Sequence, residues 1–169
     1  MKVWEGTAVV TTWQERKAVG DAHEQRVASA LTAQGWTVER CGQGTYPPAI
    51  QQALACTTSA LRWFPDLIAA RAGEVVTIDA KDCLPSNSSG RYAVADEAVH
   101  AGLQFIAANR PTPLYYVFGD LRVLTPVEVL YYTGHAERRH DGAYRLVSTR
   151  QAHSFDAVFG RRLPLRAAG

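Results

Sequence analysis

Residues 62–82, RWFPDLIAARAGEVVTIDAKD, hold two apolar runs, 64–70 and 75–80, on either side of Ala72-Gly73. β-Rich runs flanking a small turn predict a hairpin. Asp66, Asp79 and Lys81 stand inside those runs, where burying a charge without a partner is costly. A two-residue turn at Ala72-Gly73, or a four-residue loop over 71–74, gives one register. It sets Arg71 opposite Glu74, Ala70 opposite Val75, Ile68 opposite Thr77 and Asp66 opposite Asp79. Directly opposed Cβ atoms lie about 4.5–5.5 Å apart, and like charges there are destabilising. Lys81 emerges on the same face as Asp79, roughly 7 Å further along. Opposed carboxylates call for a shared proton or a hard divalent cation, unless the cluster faces solvent at a sheet edge. One lysine between two acids leaves a deficit that Mg²⁺ would fill.

The segments around the hairpin predict a mixed α/β fold. Residues 13–34 carry a partial helical stripe through Val19, Val27, Ala30 and Leu31, closed by Gly35. Residues 36–40 alternate as a short strand, and Pro47-Pro48 opens a short helix through Ala55. After the hairpin come a polar loop, 84–91, and a second long helix over 93–108, stopped by Pro111. Residues 114–119 read as a buried strand. Thr125-Pro126-Val127-Glu128 is a capping box with proline at the first helical position. A late strand at 143–148 and a short helix in SFDAVFG follow. Helix, three strands, helix and strand make a mixed sheet with helices on its faces. The second long helix permits a right-handed crossover between parallel strands. A long open sheet of the dinucleotide-binding type is a poor fit, since the GQG at 42–44 lacks a third glycine and a following helix.

Glu24 sits on or beside the stripe of the first helix, three residues before Val27 and seven before Leu31. An acid there either snorkels to solvent or joins the hairpin acids as a third member.

Composition narrows the class. At 169 residues with 47% hydrophobic and 20% charged side chains, the chain is expected to form one soluble domain. No apolar stretch reaches membrane-spanning length, and the amino terminus shows no secretory pattern, so a cytoplasmic location is expected. Three widely spaced cysteines and five scattered histidines match neither a disulfide framework nor a zinc pattern. Residues 138–169 carry seven arginines against two aspartates, either a phosphate-binding surface or a solvated tail. Lysine is scarce, three against fifteen arginines, which draws attention to Lys81.

Pro65-Asp66, twelve intervening residues and Asp79-Ala80-Lys81 resemble the PD-(D/E)XK motif of the restriction-endonuclease-like nuclease superfamily. The αβββαβ order resembles that superfamily's core over about residues 18–120, with a C-terminal addition over 121–169. A D/E-x-K triplet alone means little, because Glu15-Arg16-Lys17 also fits. Placement carries the weight: the chain's only Pro-Asp opens one strand and Asp-x-Lys closes the next. The resemblance implies a Mg²⁺- or Mn²⁺-dependent deoxyribonuclease. Asp66, Asp79 and the carbonyl of Ala80 would hold the metal, Glu24 would join directly or through water, and Lys81 would assist the attacking water. Gln104 resembles a glutamine that some members place near the metal, although the aromatic expected four residues later is Ala108. Ser86, Asn87 and Ser88, and Arg161 and Arg162 in the basic end, are the expected DNA contacts. A homodimer is expected for a symmetric substrate. A non-catalytic nucleic-acid-binding module, or a partner subunit keeping the fold, is the alternative.

Overall fold

A computed structural model of the chain describes residues 13–161. Helix α1 (Trp13–Ala33) leads through a turn at Gly35 into β1 (Thr37–Arg40), and α2 (Pro48–Ala55) follows, with Pro48 in its first turn. Strands β2 (Leu67–Arg71) and β3 (Glu74–Lys81) form the hairpin. The turn places Ala72 at φ 50° and Gly73 at φ 83°, the paired left-handed conformations of a tight hairpin turn, in which glycine bears no steric penalty. The register is the expected one, Arg71 opposite Glu74 through Leu67 opposite Ile78.

Strand β4 (Arg91–Ala95) precedes α3 (Asp96–Ala108), and β5 (Leu114–Phe118) returns beside β3 in parallel. Then come β6 (Arg122–Leu124), α4 (Pro126–Tyr132), β7 (Glu137–Arg139), β8 (Gly142–Ser148), β9 (His153–Ser154) and α5 (Phe155–Phe159). The main sheet runs β1-β2-β3-β5-β6-β9, and β4-β8-β7 form a second, antiparallel sheet. The expected αβββαβ order is present, with β3 an interior strand.

Strand alternation divides the core into two layers. Val76 and Ile78 of β3, with Val117 of β5, pack beneath Val27 and Leu31 of α1. Leu114, Tyr116 and Phe118 point the other way, into a layer with Tyr92, Val99, Leu124, Val129 and Val147. Phe155 and Phe159 of α5 lie in the α1 layer, so the segment beyond residue 120 contributes to the core.

Three local expectations need correction. Residues 93–95 are strand and not the start of α3, because Tyr92 and Val94 are buried in a ladder against β8. Residues 137–139, where the sequence predicts no element, pair with β8 as β7. Arg145, counted in the basic end, is buried and donates to Asp96 at 2.6 Å, so it is not a free phosphate ligand.

Candidate active site

Asp66 stands just before β2, held from both sides. Its carbonyl accepts the backbone N–H groups of Cys41 and Gly42 at 2.9 and 3.2 Å. Its carboxylate accepts the Ala80 N–H at 2.8 Å. A Cβ on Gly42 would lie 2.8 Å from the Asp66 Cα and 2.9 Å from its Oδ1, so only glycine lets the chain after β1 close over this aspartate.

Asp79 and Lys81 occupy the C-terminal end of β3, on the face opposite the buried Ile78. Lys81 Nζ donates to Asp79 Oδ2 at 2.7 Å and lies 4.9 Å from the centroid of the Tyr116 ring. Tyr116 neighbours Asp79 on β5, and its hydroxyl donates to the Ala98 carbonyl at 2.9 Å. Burial, and then the Asp79 charge, raise its phenol above the ordinary value. The ring is therefore a neutral, anchored floor for the ammonium.

The acids are not a solvated edge cluster. Asp79 and Lys81 keep about a fifth of their side-chain surface exposed. The Asp66 carboxyl is pushed from 3.8 up to about 8, first by burial and then by the charges of Asp79 and Glu24. The Ala80 N–H and Lys81 act in the opposite direction and do not prevail. At neutral pH burial and the neighbouring charges favour a proton on Asp66.

Glu24 leaves α1 beside the buried Val27 and shares with Asp66 a cleft of about 420 Å³. Its carboxylate accepts from Arg40 Nη2 at 2.5 Å, and the same nitrogen reaches Asp21 at 3.0 Å. Arg40 Nε is buried without a hydrogen-bond partner. Among the described residues no three His, Cys, Asp or Glu side chains converge as a ready metal cage. Mg²⁺ does not require one, since it commonly keeps several waters and takes one or two carboxylates. Asp66, Asp79 and the Ala80 carbonyl make a hard oxygen set of that kind. The raised Asp66 carboxyl marks a field that a cation would relieve. These residues fit such an ion.

Among the described residues no hydrogen bond joins the other expected site residues to these acids. Gln104 is exposed on α3 without a hydrogen bond to the cluster. Ser86, Asn87 and Ser88 are exposed in a turn closed by Ser86 N–H to Arg91 O at 2.9 Å and Gly90 N–H to Ser86 O at 2.8 Å. Ser86 and Ser88 also share a hydroxyl hydrogen bond at 2.9 Å. Arg161 lies over Gly35 and the hairpin turn. At about 3.3 Å per residue, that turn is roughly 17 Å along β3 from Asp79. Arg162 falls outside the described residues. Burial pushes the Cys41 and Cys83 thiols up to about 11, as expected of inert thiols, whereas Cys56 is exposed.

Sequence reasoning missed Arg40 and Gly42. Arg40 ends a predicted strand, and nothing local announces acids on the preceding helix. Gly42 stands in the sequence only as part of an incomplete glycine pattern.

This arrangement is the restriction-endonuclease-like fold: a mixed sheet with α1 on one face, the crossover helix on the other, and acids at the strand ends. Among solved structures the chain is similar to Hjc, a Holliday junction resolvase from the archaeal hyperthermophile Archaeoglobus fulgidus. The TM-score is 0.51 at 12% identity, covering 83% of this chain and 100% of that one. At such identity the likeness is one of fold. No family model and no curated protein matches the sequence. No described helix is long and apolar enough to cross a membrane.

Proposed function

We propose that this chain is a metal-dependent deoxyribonuclease of the PD-(D/E)XK kind that hydrolyses phosphodiester bonds. The observation carrying this reading is Asp66, its carboxylate held by the Ala80 N–H at 2.8 Å, close enough to the Asp79–Lys81 pair that burial and then the Asp79 charge push its carboxyl up to about 8. A structural ion pair has no need of the second carboxylate.

Asp66, Asp79 and the Ala80 carbonyl would hold Mg²⁺ or Mn²⁺, with Glu24 joining through water. The bound cation would polarise the scissile phosphate and acidify a water. Lys81, on the Tyr116 ring, presents a compact positive charge that orients the attacking water and offsets charge building on the phosphate oxygens. The Ala80 N–H holds one oxygen of the Asp66 carboxylate at 2.8 Å. Gln104, Ser86, Asn87 and Ser88 would meet DNA only where the substrate reaches beyond the acids.

The domain is read as one unit with its core over 18–120, acting on cellular DNA in the cytoplasm. Junction, restriction-type and repair substrates all suit the site. A symmetric junction or duplex requires two such sites, which implies a homodimer. One observation favours the non-catalytic alternative: Arg40 already neutralises Glu24. Incubating the purified protein with duplex, single-stranded, flapped and four-way DNA, with Mg²⁺ or Mn²⁺, decides between them. Metal-dependent cleavage of any member supports the nuclease; binding without cleavage of any supports the module.

A further inference from the structure

Lys17 and Arg62 line the cleft that holds Glu24 and Asp66, another cation, Arg40, reaches Glu24 beside it, and two of the three are already committed. Lys17 donates to Asp21 at 2.8 Å, and Arg40 is divided between Asp21 and Glu24. The third, Arg62, lines the same cleft and has no acidic partner among the described residues. Its guanidinium lies 5.1 Å from the centroid of the Trp63 ring, a contact that limits its motion while leaving its donors free.

The element carrying Arg62 is held firmly. Residues Ala60–Trp63 form a 3-10 turn capped by Ser59, whose hydroxyl accepts the Leu61 N–H at 3.3 Å. The Ser59 N–H donates to Thr57 Oγ1 at 3.2 Å. Phe64, just after the turn, meets Phe105 of α3 edge-on at 5.6 Å. Arg62 is thus a preorganised, unpaired guanidinium four residues before Asp66, on the wall of a cleft whose acids repel any phosphodiester.

We infer that Arg62 is the phosphate anchor of this cleft, gripping a backbone phosphate of the DNA strand whose neighbouring phosphate lies at Asp66. The planar fork matches two phosphate oxygens at once, and one fixed contact beside the acids sets the register of the strand against them. The inference rests on the nuclease reading for its substrate, yet its test needs no cleavage.

The test measures binding of a fluorescent duplex of about 25 base pairs in EDTA, over a salt series, for wild type, Arg62→Gln, Arg62→Lys and Arg91→Gln. Arg91 is an exposed arginine on β4, outside the cleft. One lost phosphate contact lowers the steepness of log K against log salt by about 0.9, or about eightfold in affinity at 0.1 M salt against a 1 M reference. Arg62→Gln should show that loss, Arg62→Lys should recover most of the slope, and Arg91→Gln should match wild type. An Arg62→Gln slope equal to wild type, or a loss no larger than that of Arg91→Gln, overturns the anchor. So does a wild type that does not bind DNA. Binding through Arg62 without cleavage under any metal would remove the nuclease reading and leave the anchor standing.

Discussion

Replacing Asp66 by asparagine keeps the shape and an oxygen for the Ala80 N–H while removing the charge. In an unfolded chain this carboxyl titrates near 3.8, and in the folded protein near 8. Between those values the native state holds a proton that the unfolded state has released, so stability falls as pH rises across the window. At ~1.4 kcal/mol per factor of ten in acidity, the ceiling is roughly 6 kcal/mol. Partial solvation and coupling to Asp79 reduce the expected effect to roughly 2–3 kcal/mol. For a chain of this length that is roughly 5–10 °C in melting temperature. In EDTA, wild type should lose that much relative to Asp66→Asn between pH 4.5 and pH 8.5, with the two converging at the acidic end. Millimolar Mg²⁺ or Mn²⁺ at tenfold its Kd should restore about 1.4 kcal/mol to wild type and little to Asp66→Asn. Parallel melting curves across pH would refute the raised carboxyl, and equal metal-induced shifts would place the cation elsewhere.

Gly42→Ala should push Asp66 away from Ala80, because its Cβ would meet Asp66 at 2.8 Å. A destabilisation of about 1–3 kcal/mol should accompany a loss of metal-induced stabilisation, both read by thermal melts. Arg145→Ala leaves Asp96 half-buried with only His100, at 3.6 Å, beside it and should cost about 1–3 kcal/mol. Denaturant unfolding should show this, with the DNA salt dependence unchanged.

Elements whose signals are local were legible in the sequence. The capping box at Thr125 and Glu128 forms as expected, with the Thr125 hydroxyl accepting the Glu128 N–H at 3.1 Å. The short turn at Ala72-Gly73 set the register of β2 against β3 as far as Leu67 opposite Ile78. What escaped depends on distant partners. Residues 91–95 are strand only because β8 lies beside them, while their alanines suit a helix equally well. Residues 137–139 are exposed throughout, so no alternation could mark them as a strand. Arg145 looked like its basic neighbours because a charge tally is blind to Asp96, 49 positions away in the chain. At the site, the hairpin charges were readable from spacing alone. Arg40 and Arg62 acquire meaning only when α1, the 3-10 turn and Asp66 are brought around one cleft.

The central claim is that Asp79 and Lys81 do chemistry rather than hold the fold. The direct measurement is single-turnover cleavage of labelled DNA by wild type, Asp79→Asn and Lys81→Ala, with DNA affinity measured in parallel. Metal-dependent cutting by wild type, slowed at least about a hundredfold in each variant with affinity little changed, is the predicted result. Undiminished cutting by either variant, or cutting that persists in excess EDTA, would contradict it.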